Sequence, residues 1–104
     1  MHHVVFLVKK RPDMSQEEFA RYWIDDHTPL TAAVEGVRAY RCYPASGASS
    51  GAPFDGVAVL SFDDADSAER ALASPEFAQA LADAANFQDV AATTSFVADE
   101  RIIV

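Results

Sequence analysis

In the stretch FARYWIDDHTPL, residues 19 to 30, a histidine sits on the apolar stripe of an amphipathic helix, two residues ahead of a proline. Imidazole is the side chain whose protonation ordinarily changes near neutrality, which makes His27 a candidate general acid or base. Pro29 cannot donate to the carbonyl of Asp25, and Thr28 before it is biased away from the helical region. The backbone is therefore expected to kink or restart here, leaving free carbonyls beside the ring. Two roles follow for His27: catalysis, or a hydrogen bond to a freed carbonyl that locks the kink.

Trp23, one turn before His27, and Tyr22 beside it can form an aromatic wall for a planar ligand, or simply belong to the core. Tyr40 carries a hydroxyl suited to orienting a substrate oxygen. Asp55, in an Asp-Gly pair, can bind a ligand, pair with Arg38 or Arg41, or serve as a strand-end carboxylate. Asp25 and Asp26 adjoin His27 in sequence and so lie off its helical face, in solvent. His2 and His3 are adjacent strand positions that point to opposite faces, which forbids joint chelation. With one cysteine, Cys42, there is no internal disulfide and no multi-cysteine zinc site. The glycines of residues 44 to 53 lack the spacing of a phosphate-cradling loop. No metal and no cofactor are expected.

These residues need elements to hold them. HVVFLVK, residues 3 to 9, is apolar on both parities and reads as a strand buried on both faces. Ser15 and Glu18 have capping-box spacing and open the first helix. Its buried stripe is Phe19, Tyr22, Trp23, His27, Leu30 and Val34, and Gly36 is a suitable terminator. Residues 37 to 43 form a second strand, and residues 54 to 62 a third, joined by the small-residue loop PASGASSGAP. That loop lies where the first helix begins, roughly 18 Å along the helix from His27, so it is expected to gate a far pocket mouth or contact the other subunit rather than cover that ring. A second helical region starts near Asp66, capped by Asp66 and Glu69, and restarts at Ser74-Pro75. Its expected stripe is Ala78, Leu81, Ala82 and Ala85. ATTSFVADERIIV closes the chain as a fourth strand with a tail.

The resulting order, βαββαβ, is the ferredoxin-like α+β arrangement: a four-stranded antiparallel sheet with two helical regions on one face. One domain spans residues 1–104. The opposite sheet face is apolar, and a second copy covering it would make a homodimer. The net charge of −8, from 16 acidic and 8 basic side chains, disfavours nucleic acid and anionic membrane as partners. No apolar run approaches a membrane span, and the N-terminal charges follow the apolar segment, the wrong order for a secretory signal. A cytoplasmic location is expected.

At FxxYWxxxHxPL the chain resembles the EthD-type proteins of the dimeric α+β barrel superfamily. VVFLVKKRPDMSQEEF, DGVAVLSFDD, ASPEF, and NFQD with the late DE extend the resemblance over nearly the whole chain. The opening HHVV is also similar to stress-response barrel proteins of that superfamily. The resemblance implies a dimeric barrel with a cavity between sheet and helices in each subunit. It also implies a choice of activities, since the superfamily includes cofactor-free monooxygenases, lactone isomerases, polyketide cyclases, decarboxylases and haem-binding branches. EthD itself belongs to a bacterial system that degrades ethyl tert-butyl ether.

The expected function is a cofactor-independent enzyme acting on a hydrophobic, oxygenated small molecule, aromatic or polyketide-like. His27 would shuttle a proton, and Trp23, Tyr22, Tyr40 and Asp55 would hold the substrate. The alternatives are a non-catalytic carrier of an apolar metabolite and a cofactor-free monooxygenase.

Overall fold

A computed structural model describes residues 1–49 and 51–104. Four strands, β1 His2–Val8, β2 Ala39–Pro44, β3 Gly56–Phe62 and β4 Thr94–Asp99, form one sheet in the order β2-β3-β1-β4. Every neighbouring pair is antiparallel. Val4 lies opposite Leu60 and Val97, and Phe6 opposite Ala58 and Ser95, which puts Val4, Phe6, Ala58 and Leu60 on one face. The helical segments cover that face.

Those segments are α1 Gln16–Tyr22, α2 Thr28–Ala32, α3 Ala65–Leu72 and α4 Pro75–Ala84. The order is the expected ferredoxin-like one, and the apolar core divides in two. Val4, Leu60 and Phe62 pack with Val34, Ala68, Ala71 and Phe77. Val8 and Ala58 pack with Phe19, Trp23 and Phe87. Among the described residues no helix is long and apolar enough to cross a membrane.

Local chemistry accounts for the helix starts. The Ser15 hydroxyl accepts the Glu18 N–H at 3.0 Å while the Glu18 carboxylate accepts the Ser15 N–H at 3.0 Å, a complete capping box. Ser74 caps α4 through the Phe77 N–H at 3.2 Å, with Pro75 in the first helical position. The start of α3 differs from expectation: Asp64, not Asp66, is the cap, taking the Ser67 N–H at 2.7 Å. Asp64 adopts the extended backbone a cap requires, and the second helical region begins two residues earlier.

The first helix does not break before Pro29. Trp23–His27 forms a widened π turn that joins α1 to α2, and the Thr28 N–H reaches back five residues to the Trp23 carbonyl. Thr28 itself is helical, at φ −57° and ψ −34°, against the usual bias before proline. A wide turn accommodates a ring that has no N–H and crowds the preceding carbonyl. The Thr28 hydroxyl completes the join by donating to the Ile24 carbonyl at 2.6 Å.

At the wide turn the buried stripe passes through Thr31 in place of Leu30. Phe19, Trp23, His27, Thr31 and Val34 are buried, whereas Leu30 is only partly so, correcting the expected stripe at that turn. Gly36 ends the segment at φ +98°, a backbone region that favours glycine. In α4 the expected stripe is also displaced. Ala78, Leu81, Ala82 and Ala85 are exposed, and Phe77, Ala80 and Ala84 face the sheet. Small apolar residues lie on every side of this helix, so Phe77 and the following Phe87, 7% and 0% exposed, fix its phase instead.

Candidate functional site

Between the sheet and the helices lies a cavity of about 300 Å³. The first helical run supplies Trp23, His27 and Thr31; the sheet supplies Phe6, Tyr40 and Leu60; α4 supplies Phe77, Ala80 and Ala84. Gln88, Thr93, Thr94 and Ser95 add uncharged polar groups. The described lining contains no Lys, Arg, Asp or Glu. This is an apolar pocket with a few convergent polar groups, the usual construction of a small-molecule site.

Trp23 reaches its place because the strand beneath it is hollowed. A Cβ on Gly56 would collide with the six-membered ring of the indole and would come within 3.0 Å of the Tyr43 carbonyl. Glycine at this first position of β3 thus lets the six-membered ring come close to the backbone. On its other side Trp23 meets Phe19, with ring centroids 5.4 Å apart, and Phe87 at 6.2 Å.

His27 is 7% exposed, and its ring packs on Phe87 at a centroid distance of 4.7 Å. Its Nδ1 lies 2.9 Å from Oδ2 of Asp83 on α4. The Tyr22 hydroxyl donates to the other oxygen of Asp83 at 2.7 Å, and the Asn86 amide donates to that same oxygen at 3.0 Å. Burial pushes the Asp83 carboxyl up, but the hydrogen bonds from Tyr22, His27 and Asn86 outweigh it and hold the group below the usual carboxylate range. An ionised carboxylate can only accept, so Nδ1 carries the hydrogen. In the neutral ring Nε2 is then a bare acceptor. Oγ1 of Thr31 lies 3.5 Å from Nε2, too distant to engage it strongly.

Tyr40 rises from β2 into the same cavity. Burial above all, and then Cys42 beside it, push the phenol well above its ordinary range, while Thr31 and Trp23 act weakly in the opposite sense. The hydroxyl therefore keeps its proton at any ordinary pH. Cys42, also half-buried, has a thiol raised by burial, with Tyr40 and Trp23 opposing, and is a poor nucleophile.

Of the residues singled out in the sequence, Trp23, His27 and Tyr40 line one cavity. Tyr22 does not; its hydroxyl is committed to Asp83 behind the imidazole. Asp55 is likewise absent from the lining. It accepts the Lys10 N–H at 2.8 Å and lies 3.5 Å from the Lys9 ammonium, fixing the turn after β1 rather than pairing with Arg38 or Arg41. Arg38 pairs instead with Asp63, at 2.9 Å. His3 bonds Ser61 across the sheet at 2.7 Å, away from the cavity. The loop after β2 stays near the start of α1, where the Gln16 amide donates to the Ala45 carbonyl at 2.9 Å. Among the described residues no three His, Cys, Asp or Glu side chains cluster as metal ligands would.

Two participants escaped the sequence reading. Thr31 was hidden by the one-residue offset of the π turn. Asp83 was hidden by the phase of α4; once Phe77 and Phe87 set that phase, Asp83 falls between Ala80 and Ala84 on the buried side.

The EthD domain model matches residues 11–91. An EthD family protein from Bacillus halodurans superposes with a TM-score of 0.78 at 22% identity, over 97% of this chain and 100% of that one. HapK from Hahella chejuensis gives 0.74 at 13% identity, over 97% and 93% of the two chains. A dimeric ferredoxin-like protein of unknown function from Thermobifida fusca gives 0.72 at 18% identity, over 92% and 87%. No curated protein matches the sequence. The structural likenesses are those of the fold, and the family match spans both helical regions with β2 and β3, leaving β1 and β4 outside it. The chain belongs to the EthD domain family.

Proposed function

We propose that this protein is a small enzyme that moves protons on a largely apolar, oxygen-bearing molecule held in the cavity, with Nε2 of His27 as the general base. The observation that carries this reading is the divided environment of the ring. Asp83 holds Nδ1, and Nε2 lies on the side of Thr31, a residue of the cavity wall. An imidazole oriented by a carboxylate and poor in competing partners is prepared to take a proton from a bound substrate. Trp23, Phe6 and Phe77 supply apolar walls, and the Tyr40 hydroxyl supplies a hydrogen bond to substrate oxygen. No step of this chemistry needs a metal or an organic cofactor.

The working form is a homodimer joined through the sheet face opposite the helices. Alternation puts Val5, Leu7, Val57 and Val59 there, together with Tyr43 and Phe96, which are 55% and 51% exposed. His3, on the same face, has a buried Nε2 with no partner among the described residues. A second copy would cover the apolar groups and can meet that nitrogen.

The test is a carbon acid that reports any base in an apolar pocket: a nitrobenzisoxazole, whose ring opens to a coloured phenolate when its carbon-bound proton is removed. The wild-type protein is expected to open it with saturation kinetics, faster than free imidazole at equal concentration. His27→Gln should reduce the rate by about a hundredfold or more. Equal turnover by His27→Gln and wild type removes His27 from the role of base.

A further inference from the structure

Resting on the reading of His27 as a base, we infer that the substrate is an uncharged, enolisable ketone, and that the site rejects carboxylates and other anions of the same shape.

The argument begins with what the cavity lacks. A buried anion needs a cation or several strong donors to offset its lost hydration. The described lining offers no lysine or arginine. The charge that contacts the base is of the wrong sign, since Asp83 sits behind the imidazole at 2.9 Å and its carboxyl is held below the usual range. A substrate that arrives as a carboxylate would thus lose its water and face a carboxylate across one ring. Decarboxylation, which requires an acid to bind, is the least suited of the reactions open to a histidine base here. Isomerisation, or an internal condensation that begins with loss of a carbon-bound proton, suits the lining well.

What the cavity does offer is matched to a charge that forms only during reaction. Thr31 joins His27 and Tyr40 in the cavity wall, and its hydroxyl lies 3.5 Å from Nε2. A carbonyl oxygen near Tyr40 therefore brings its adjacent carbon toward Nε2. Nε2 removes a proton from that carbon. The C–H electron pair becomes the C=C bond of an enolate, and the carbonyl π pair moves to oxygen. Tyr40 donates a hydrogen bond to that oxygen while retaining its proton. The imidazolium then returns its proton to another atom of the same molecule, so no oxidant, reductant or second substrate is consumed. A preorganised donor in a dry site stabilises such developing charge far more than it stabilises a neutral carbonyl. Trp23 and Phe6 in the same cavity wall offer apolar contact to the rest of such a ketone.

Two probes of one shape separate the possibilities: β-tetralone, a bicyclic enolisable ketone, and β-naphthoate, a similar bicyclic frame bearing a carboxylate. Calorimetry in mildly alkaline buffer measures the binding of each, and proton NMR in deuterium oxide follows exchange of the α-hydrogens of the ketone. Expected are saturable binding of the ketone, naphthoate weaker by about tenfold or more, and exchange accelerated by the protein. Tyr40→Phe should slow exchange by about a hundredfold while ketone binding persists. Naphthoate binding as tightly as the ketone, or no binding of the ketone, overturns the inference whatever His27 does. Exchange abolished in His27→Gln but undiminished in Tyr40→Phe overturns the role of Tyr40 and leaves His27 as the base. Selective ketone binding with no exchange overturns the enolisation step and the basic role of His27 together, leaving a carrier of neutral ligands.

Discussion

Nδ1 of His27 and Oδ2 of Asp83 lie 2.9 Å apart, joining the π turn of the first helical run to α4 across 56 residues of sequence. This contact selects one tautomer of the imidazole and one orientation of its ring. Replacing Asp83 with Asn keeps the shape but supplies an amide that can also donate, so the tautomer is no longer fixed. Asp83→Asn is expected to lower proton-transfer turnover by about tenfold to a thousandfold while KM changes little. Nitrogen-15 NMR of the ring should show hydrogen on Nδ1 in the wild type and a mixed population in the variant. An unchanged tautomer with unchanged turnover would reduce Asp83 to a packing residue.

The same carboxylate gives the fold a defined acid sensitivity. The Asp83 carboxyl is depressed in the folded chain by Tyr22, His27 and Asn86, which outweigh the raising effect of burial. A group depressed on folding stabilises the native state above its unfolded value, about 3.9 for aspartate, and that contribution is lost as pH falls through the folded value. Urea unfolding of wild type and Asp83→Asn should therefore show a stability gap at neutral pH that narrows as pH drops below about 4. A gap independent of pH would show that the hydrogen-bonded network contributes through shape alone.

Gly56 and Trp23 make a second paired requirement. Gly56→Ala places a methyl group where the indole lies, and the nearby Tyr43 carbonyl limits any retreat of the strand. Overpacking of this kind is expected to cost about 1–3 kcal/mol in urea unfolding. Trp23 should shift toward the cavity, reducing its volume and weakening ketone binding. A crystal structure of the variant with the ring unmoved would contradict this account.

The apolar outer face of the sheet predicts how the chain associates. Val59 lies between Val5 on β1 and Arg41 on β2, in the middle of that face. Sedimentation of the wild type should show two chains at micromolar concentration, and Val59→Asp should yield single chains whose cavity residues remain folded. A wild-type protein that sediments as one chain under these conditions removes the proposed dimer.

The fold could be read from the sequence where residue identity admits few alternatives. Ser15 with Glu18 and Ser74 with Pro75 each mark a helix start through a defined hydrogen bond, and Gly36 marks an end through a positive φ. Apolar, β-branched runs and element order supplied the sheet. The site was harder because it depends on helical phase. A π turn widens one turn of the helix, exchanging Leu30 for Thr31 in the buried stripe, and nothing in the 3.6-residue period announces it. In α4 alanines on all faces left the phase open, so the half-buried carboxylate of that helix, Asp83, passed unremarked. Asp55 was left open between a ligand, an arginine partner and a strand-end role, because its partners, the Lys10 N–H and the Lys9 side chain in the turn after β1, are distant in sequence.

The placement of Trp23 has a practical consequence. It is the chain's sole tryptophan, it is 1% exposed, and it forms part of the cavity wall. Excitation at the red edge of protein absorption therefore addresses one ring, in one place, at the site itself. Its emission will respond to whatever lies against that ring, so occupancy can be followed without a label. An unknown ligand can be sought by that signal alone, from a library of small molecules, before any reaction has been assigned.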